Sequence, residues 1–309
     1  MAGAGPAISI GMPVFNGAEY LAAALDSSLA QTFQDWELLL RDNASTDGTA
    51  AICRDYAARD PRIRYERAAV NEGAARNHNR TFALARAPYF KWWAADDLCA
   101  PTFLERCAAA LDAQPDAAVA YPLAERIDAH GAVLHRLEQY LSHGSWPASP
   151  AGRFRMLAEE FMFSGGVTAP LYFYGLLRAE ALRRTRLVGP YIASDWILDL
   201  ELALAGRFIE IPEYLLQIRE HAGSSSLGVN RLRYDRVQAV SDPRVRGRFR
   251  VFLSRARRYP EHVIVVARSS LPRREKVALM AYASGTLLRR AGRNVRRVRA
   301  AVRHPGRRA

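Results

Sequence analysis

The N-terminal third of the chain alternates short apolar runs with helical patterns, and this alternation constrains the fold more than any other feature. Apolar runs predict strands at 7–12, 36–40, 63–66 and 89–95. Each run is followed by a polar turn and then by apolar residues at the three- and four-residue spacing of a helix. Strands and helices that alternate in this way pair into a parallel sheet through right-handed crossovers. We therefore predict an α/β fold with a Rossmann-like, mostly parallel central sheet flanked by helices.

The fourth predicted strand ends in two adjacent carboxylates, Asp96 and Asp97. Neighbouring acids repel each other, and a divalent cation that holds phosphate oxygens offsets this repulsion. Open α/β sheets also bind their ligands at the carboxyl ends of the strands. The pair therefore predicts a metal and phosphate site. The alternative is a pair that only caps the helix opened by Pro101.

Polar motifs follow the predicted strands in a definite order. They read PVFNG (13–17), DNASTDGT (42–49), NEGAARN (71–77) and ADDLCAP (95–101), with SDW (194–196) and REHAGS (219–224) further on. Together they resemble the motifs of the inverting family 2 glycosyltransferases, over about residues 7–226. The resemblance implies a GT-A fold and transfer of a sugar from a nucleotide diphosphate-sugar to a hydroxyl acceptor.

The resemblance also implies a role for individual side chains. It assigns Asp195 as the catalytic base and Asp97 and His221 as metal ligands, and it assigns nucleotide-sugar binding to Pro13, Phe15, Asn16, Asp42, Arg76 and Asp96. Asp42 would accept a hydrogen bond from a pyrimidine N–H, which favours a UDP- or dTDP-linked donor. The implied cofactor is a divalent ion, Mn²⁺ or Mg²⁺, and an imidazole ligand suits a transition metal better than calcium.

Two positions depart from the pattern of the family. Ala94 stands where many relatives have a further Asp, and Asn43 replaces the commoner acid after Asp42. The acids that carry the implied chemistry are retained. For Asp195 the alternative interpretation is an ordinary helix N-cap.

Two other classes of protein are alternatives to a glycosyltransferase. A nucleotidyltransferase acting on sugar phosphates usually has a Gly-rich, Arg- or Lys-containing loop directly after its first strand. The sequence at that place, PVFNGAEYL at 13–21, is not such a loop. A catalytically inactive nucleotide-sugar-binding protein is the third class, and the retained acids argue against it.

The middle of the chain predicts elements that would face the acceptor. A hairpin turn is predicted at 128–131, a helix at 153–163 and a strand at 172–177. His135, His143 and Trp146 fall in a loop-like region, where a structural role is favoured over an acceptor pocket. Asp199 and Glu201 follow the SDW motif and are predicted to be a solvated helix face or a helix-stabilising charge, although Asp199 stands on the same side of the helix as Asp195.

The charge distribution divides the chain. We predict a GT-A domain at 1–228, with a nucleotide-sugar half at about 1–123 and an acceptor half at about 124–228, and a basic helical extension at 229–309. The net charge is +13, and no acid occurs from Leu288 to the end. In that tail, apolar residues three or four apart alternate with arginines: Leu288, Ala291, Val295, Val298 and Val302. Such a helix can lie on an anionic membrane surface; the alternative is a solvated tail.

Composition narrows the partners and the compartment. No run approaches the roughly 20 apolar residues of a membrane span, and the start lacks the basic region of a signal peptide. Three cysteines without ligand spacing suit a reducing cytosol. The sequence contains no zinc, helix-turn-helix or RNA-recognition signature, so we do not expect a specific nucleic-acid partner. We expect a cytoplasmic enzyme, peripheral at the inner face of the membrane, that acts on a saccharide or lipid-linked acceptor in polysaccharide or glycolipid synthesis.

Overall fold

A computed structural model describes residues 5–137, 146–164, 169–221, 223 and 248–303 of the chain. The strands are β1 (Ile8–Val14), β2 (Trp36–Asp42), β3 (Ile63–Arg67), β4 (Tyr89–Trp92), β5 (Leu98–Cys99), β6 (Ala117–Ile127), β7 (Val133–Leu137), β8 (Leu176–Arg178) and β9 (Arg207–Arg219). The helices are α1 (Leu21–Leu29), α2 (Thr49–Arg59), α3 (Ala74–Ala83), α4 (Phe103–Ala113), α5 (Pro150–Glu159), α6 (Ala169–Phe173), α7 (Ala179–Arg183), α8 (Ser194–Ala205), α9 (Arg248–Arg268) and α10 (Arg273–Arg303). A π-helical turn, Glu160–Ser164, extends α5.

The nine strands in the described part of the chain belong to one sheet, in the order β3-β2-β1-β4-β8-β6-β9-β5, with β7 beside β6. The strands β3, β2, β1 and β4 are parallel, as the alternation of strands and helices predicts. Beyond β4 the sheet is mixed, because β8 runs antiparallel to both β4 and β6 while β9 is parallel to β6. The α/β prediction is confirmed, and the parallel part of the sheet is its N-terminal half.

The first strands are buried because helices cover both faces of the sheet. Ile8, Ser9 and Ile10 of β1 are completely buried, as is Leu38 of β2, and its neighbour Leu39 is 1% exposed. Strands buried on both faces have the near-continuous apolar sequence seen here. The cysteines are free and buried, as expected for small core side chains.

The predicted strand at 172–177 is wrong in its first half. Tyr172 and Phe173 end the short helix α6, and only Leu176–Arg178 pair as β8. Tertiary packing decides this, because Phe173 stacks on Trp92 with ring centroids 4.8 Å apart. At Gly175 the turn comes so close to β6 that an added Cβ would lie 2.7 Å from the Ala120 carbonyl oxygen.

Other elements of the middle region agree with the sequence. Asp128 closes the predicted hairpin, since its Oδ1 accepts the N–H groups of His130 and Ala132 at 2.8 and 2.9 Å. The helix predicted at 153–163 is present as α5 and its π-helical turn. Trp146 has a structural role, because its Nε1 donates to Tyr121 at 2.9 Å. His143 lies outside the described residues.

The C-terminal helices pack on the domain that precedes them. Val265 and Val266 of α9 and Leu279 and Ala283 of α10 are buried in the common core. The predicted basic helix is part of α10, which runs unbroken to Arg303. Among the described residues, no helix is long and apolar enough to cross a membrane. The predicted boundary at 228/229 lies outside the described residues.

Candidate functional site

The Asp96–Asp97 pair follows β4 at the carboxyl edge of the parallel sheet. The strand ends at Trp92 and not at Ala95 as predicted, so a short turn leads to the pair. Trp93 is buried beneath it and donates from Nε1 to the Asp97 carbonyl at 3.3 Å. Arg219, the last residue of β9, ties both acids down. Its backbone N–H donates to Asp97 Oδ1, and its Nε donates to the Asp96 carbonyl, each at 2.9 Å. Two segments far apart in sequence therefore position the pair.

The two acids differ in exposure and in protonation. The Asp97 residue is 5% exposed, whereas the Asp96 side chain is 33% exposed. Burial, reinforced by the charge of Asp96, raises the pKa of Asp97 to about 8, against the opposing effects of Arg219 and Lys91. A cation bound here would favour the ionised form of Asp97, so metal binding would release a proton.

His221 is held against the acid pair. Its Nε2 lies 3.0 Å from Asp96 Oδ2, and Gly223 N–H donates to its Nδ1 at 3.2 Å. Because Nδ1 accepts, a neutral ring carries its proton on Nε2 and donates it to Asp96. The ring of Tyr20 lies 4.6 Å away and covers the histidine. His221 therefore orients Asp96 here, and its role as a metal ligand stays a prediction.

The donor set fits a hard divalent cation bound together with a substrate. Mg²⁺ is usually held by one or two carboxylates plus substrate phosphates, and Mn²⁺ accepts similar oxygen ligands. Asp96 and Asp97 supply such carboxylates. In the part of the chain that is described, no group of three or more His, Cys, Asp or Glu side chains is arranged to hold a metal ion by itself.

The turn after β1 presents an aromatic ring beside this edge. Asn16 adopts a left-handed backbone (φ 50°), its N–H donates to Ser45 Oγ at 2.9 Å, and its Oδ1 accepts the Thr46 N–H at 2.8 Å. Phe15 is 38% exposed within this locked turn, and Pro13 is partly buried. An exposed phenyl ring on a rigid turn is a suitable surface for a flat base.

Asp42 is completely buried at the end of β2. Its carboxylate accepts hydrogen bonds from Ser45 N–H at 2.8 Å, Tyr65 Oη at 3.2 Å and Arg67 Nε at 3.1 Å. A base N–H would reach the carboxylate only if one of these donors moved away. Arg67 is the mobile candidate, since its side chain is 49% exposed. The contact between Asp42 and a pyrimidine stays a prediction.

The substitution of Asn for an acid at position 43 has a structural explanation. The Asn43 side chain donates to Asn71 Oδ1 and accepts the Glu72 N–H, both at 2.9 Å. A carboxylate could make only the second of these bonds. The loop they fix leads into α3, where Arg76 is exposed and has no ion-pair partner among the described residues. Arg76 is therefore free to approach a phosphate.

Asp195 lies in the first turn of α8, following Ala193, whose backbone is left-handed (φ 62°). Ala193, not Asp195, occupies the N-cap position. Trp196 stacks on Phe161 at 5.2 Å, and the Arg258 guanidinium lies 5.2 Å from its ring centre. Burial raises the pKa of Asp195, while backbone N–H groups and Arg258 oppose the shift. A raised pKa brings a carboxylate closer to the range useful for a general base.

Asp199 is one turn further along α8, and its predicted solvent exposure is wrong. The residue is 0% exposed, and among the described residues neither carboxylate oxygen has a hydrogen-bond partner. Burial, with the charges of Asp195 and Glu160, raises its pKa well above the usual value. The raised pKa favours the neutral form of Asp199, one helical turn from Asp195. Apolar residues on either side of it, Ile197–Leu198 and Leu200, carry the sequence signal for burial.

Tyr174 is affected both by the Asp96–Asp97 pair and by Asp195. Sequence patterns did not identify this residue, because it falls in the segment that was wrongly predicted as a strand. Burial raises the pKa of its phenol well above 10, and the charges of Asp97, Asp96 and Asp195 add to the shift. The phenol is thus within electrostatic range of the acid pair and of the base candidate. These carboxylates come from distant parts of the chain, and all three act on the same phenol.

Comparison with known proteins identifies related sequences. The glycosyl transferase family 2 model matches residues 9–171, more than half of the chain. The O-antigen biosynthesis protein RfbC of Myxococcus xanthus is 38% identical over 128 residues, or 41% of this chain and 10% of RfbC. Chondroitin synthase of Escherichia coli is 30% identical over 129 residues, or 42% of this chain and 19% of the synthase. The chain thus spans less than two fifths of the length of its curated relatives.

Solved structures share the fold over nearly the whole chain. Residues 1–349 of TarS from S. aureus, in complex with UDP-GlcNAc, match with a TM-score of 0.60 and 14% identity, over 90% of this chain and 72% of that one. The mannosyltransferase PcManGT from Pyrobaculum calidifontis, in complex with GDP-Man and Mn²⁺, matches with a TM-score of 0.52 and 15% identity, over 93% and 88%. At these identities the likeness is one of fold, and the prediction of a GT-A fold is confirmed.

Proposed function

The chain belongs to glycosyl transferase family 2, and on that premise we propose that it moves a sugar from a nucleotide diphosphate-sugar to a hydroxyl acceptor by a single, inverting displacement. The observation that carries this proposal is that β8 pairs with β4, the strand before Asp96 and Asp97, while α6, just before β8, packs against α8, the helix of Asp195. A leaving-group site and a base on opposite sides of one space is the arrangement that in-line displacement needs.

The leaving diphosphate belongs at the carboxyl end of β4. A divalent cation, Mn²⁺ or Mg²⁺, held by Asp97 and the more exposed Asp96 would neutralise charge on the phosphates. Arg76, exposed at the start of α3, adds a positive charge that can reach the same phosphates. His221 keeps Asp96 in place through their 3.0 Å contact. The complex of the structural neighbour PcManGT with Mn²⁺ supports the choice of metal.

The base acts from the opposite side. Asp195 takes the proton of the acceptor hydroxyl as that oxygen attacks the anomeric carbon, so the configuration at this carbon inverts. Its partly buried position raises its pKa and makes it a stronger base than an exposed aspartate. Trp196 packs against Phe161 and Arg258 and so fixes the start of α8, the helix that carries Asp195.

For the donor we propose a UDP- or dTDP-linked sugar. Phe15 offers its exposed ring to the base, and displacement of Arg67 would open Asp42 to a pyrimidine N–H. The TarS complex with UDP-GlcNAc supports a uridine donor, and the PcManGT complex with GDP-Man supports the broader class of nucleotide diphosphate-sugars. Calorimetric titration of UDP, dTDP, GDP and ADP with Mn²⁺ tests the base, and tightest binding by a purine nucleotide would contradict it.

For the acceptor we propose a saccharide or lipid-linked glycan in cell-surface polysaccharide or glycolipid synthesis. The relative named for O-antigen biosynthesis supports this class. We also propose that the protein works in the cytoplasm at the inner face of the membrane, held by the basic helix α10. A net charge of +13, concentrated towards the C-terminus, supports attraction to anionic lipid.

One experiment separates the three classes of function. The purified protein is incubated with a panel of nucleotide sugars and Mn²⁺, with and without simple sugar acceptors. Release of nucleoside diphosphate and sugar supports a glycosyltransferase. Exchange of pyrophosphate would indicate a nucleotidyltransferase, and binding without turnover an inactive protein.

Two variants sharpen this experiment. Asp195→Asn keeps the shape of the side chain but cannot take a proton, so the rate should fall by about 100- to 10,000-fold with donor binding unchanged. Asp116→Asn is the matched control, because the Asp116 side chain is 64% exposed and lies outside the site. If Asp195→Asn keeps most of its rate, the base lies elsewhere.

A further inference from the structure

Tyr174 lies beside the end of β4 because of the register of β8. In the antiparallel pair of β4 and β8, Tyr89 faces Arg178 and Phe90 faces Leu177. The residues just before β8 therefore run alongside the last residues of β4, next to the start of the Asp96–Asp97 turn. Helix α6 ends at Phe173, directly before Tyr174. It packs against α8, the helix that begins with Ser194 and Asp195.

The backbone of this residue is rigidly held. Lys91, which is 1% exposed, donates from Nζ to the carbonyl oxygen of Tyr174. The Tyr174 N–H donates to the Pro170 carbonyl at 3.0 Å, and its ring packs on Phe173 with centroids 4.9 Å apart. Gly175 allows the close approach to Ala120 described above. A side chain anchored in this way is preorganised, which is what a contact to a reacting substrate requires.

The hydroxyl of Tyr174 has no hydrogen-bond partner among the described residues, although the side chain is partly buried. Other tyrosines of the protein use their hydroxyls in the fold: Tyr89 donates to Asp112, and Tyr56 donates to Asp26 at 2.6 Å. Because its pKa lies well above 10, the Tyr174 phenol keeps its proton. It is a donor in need of an acceptor.

We propose that Tyr174 contacts the transferred sugar, donating a hydrogen bond to one of its hydroxyls. The inference rests on the proposed function. In an in-line displacement the anomeric carbon lies between the diphosphate, at Asp96–Asp97, and the base, at Asp195. Tyr174 follows α6, which packs against the helix of Asp195, and precedes β8, which pairs with β4 ahead of Asp96–Asp97. The sugar ring is therefore the part of the donor that the phenol can reach. Tyr174 would then position the sugar for attack.

The test compares Tyr174→Phe with Tyr89→Phe, which removes the same hydroxyl from the other end of the neighbouring strand. Tyr174→Phe should bind the nucleoside diphosphate with Mn²⁺ as the wild type does. Its kcat/KM with the nucleotide sugar that the wild type turns over should fall by about 10- to 100-fold. Its Tm should not fall, because no bond within the protein is lost. Tyr89→Phe should show the opposite pattern, with unchanged kinetics and a lower Tm, because it loses its bond to Asp112.

The outcomes distinguish this proposal from the proposed function. If the wild type turns over no nucleotide sugar, the proposed function fails. If the wild type is active and Tyr174→Phe equals it, the sugar contact is wrong. Equal weakening of nucleoside diphosphate and nucleotide-sugar binding would also overturn it, because the hydroxyl would then contact the diphosphate.

Discussion

At the residue scale, three acids of the site differ in what surrounds them. Asp97 is buried but receives the Arg219 N–H, and it has the charged neighbour Asp96. Asp195 is partly buried in the first turn of a helix. Asp199 is fully buried, and neither of its carboxylate oxygens has a hydrogen-bond partner in the part of the chain that the structure describes. These differences separate the expected effects of substituting each acid.

Asp97→Asn should abolish metal-dependent turnover while leaving the fold intact. The amide oxygen of Asn can still accept the Arg219 N–H, but the side chain cannot supply a charged ligand to a cation. We expect a loss of about 100-fold or more in rate and a loss of the Mn²⁺-dependent part of UDP affinity. Calorimetry with Mn²⁺ and with EDTA makes the measurement, the EDTA arm being the internal control. Unchanged turnover would remove Asp97 from the site.

Asp199→Asn should stabilise the protein at high pH and not at low pH. The pKa of Asp199 is raised on folding by burial and by Asp195 and Glu160, so the folded state binds the proton more tightly than the unfolded state. Its contribution to stability is full below the unfolded pKa, near 4, and is lost as the pH rises through the folded pKa. An amide does not titrate, and the variant should therefore gain about 3 °C or more in Tm at pH 8.

The measurement for Asp199→Asn is a series of melting curves from pH 4.5 to pH 9. The two proteins should have similar Tm values at the acidic end and diverge as the pH rises. A difference in Tm that does not vary with pH would show that Asp199 has the same protonation in both states.

At the element scale, the C-terminal helices brace the helix that carries the base. Arg186 forms ion pairs with Glu201 of α8 and with Glu261 of α9. The Ser254 hydroxyl of α9 accepts the N–H of Ile192, just before α8, at 3.2 Å. Arg258 lies over Trp196. The extension, expected from its charge to be a peripheral tail, therefore reaches the back of the site through α9.

Arg258→Met should move the acidic limb of the pH–rate profile to higher pH. Arg258 is 8% exposed, and its charge lowers the pKa of Asp195. Without that charge the pKa of Asp195 should rise by about one unit or less. A smaller fraction of Asp195 is then ionised at pH 6. Burial raises the pKa of Asp199 and of Tyr174, which also lie near the base, and so favours their neutral forms. The pH dependence of kcat/KM makes the measurement.

Arg257→Met is the matched control for that experiment. Arg257 is the preceding residue of α9, its side chain is 57% exposed, and it lies over Tyr191 and beside Glu261. It should lower stability slightly and leave the position of the acidic limb unchanged. Equal shifts in both variants would mean that helix packing, not the charge of Arg258, tunes the base.

At the scale of the whole molecule, helix α10 carries both exposed apolar residues and the acid-free, arginine-rich sequence. Val277 and Leu288 are 69% and 73% exposed, on the face opposite to that of the buried Leu279 and Ala283. The helix then continues to Arg303 through a sequence that has no acid. A helix with exposed apolar residues and many arginines favours an anionic lipid surface.

A chain that ends after Arg289 should lose binding to anionic vesicles and keep its activity on soluble substrates. The truncation spares the buried Thr286 and removes eight arginines. Each arginine near an anionic surface contributes about 1 kcal/mol, so the loss should be large and sensitive to salt. Co-sedimentation with phosphatidylserine vesicles, with phosphatidylcholine vesicles as the control, makes the measurement. Equal sedimentation of both chains would leave the tail as a solvated helix.

Local patterns in the sequence determined the α/β class, the parallel strands β1–β4 and the polar turns at one edge of the sheet. The periodicity of a strand or helix is visible within a few consecutive residues, and the carboxyl ends of parallel strands must meet at the same edge of the sheet. They placed Phe15, Asn16, Asp42 and the Asp96–Asp97 pair in neighbouring turns. The resemblance to the family, which spans several such turns, added Asp195.

Only the tertiary structure decided how the acids are surrounded. Tyr65 and Arg67 donate hydrogen bonds to Asp42 from another strand. Asp199 is buried by packing between elements, and Arg258 of α9 lies over Trp196 of α8. Tyr174 gave no signal in its own segment, because its place depends on β8 pairing with β4 and on α6 packing against α8. Contacts between distant segments follow from how whole elements pack, and the periodicity of any one element does not contain them.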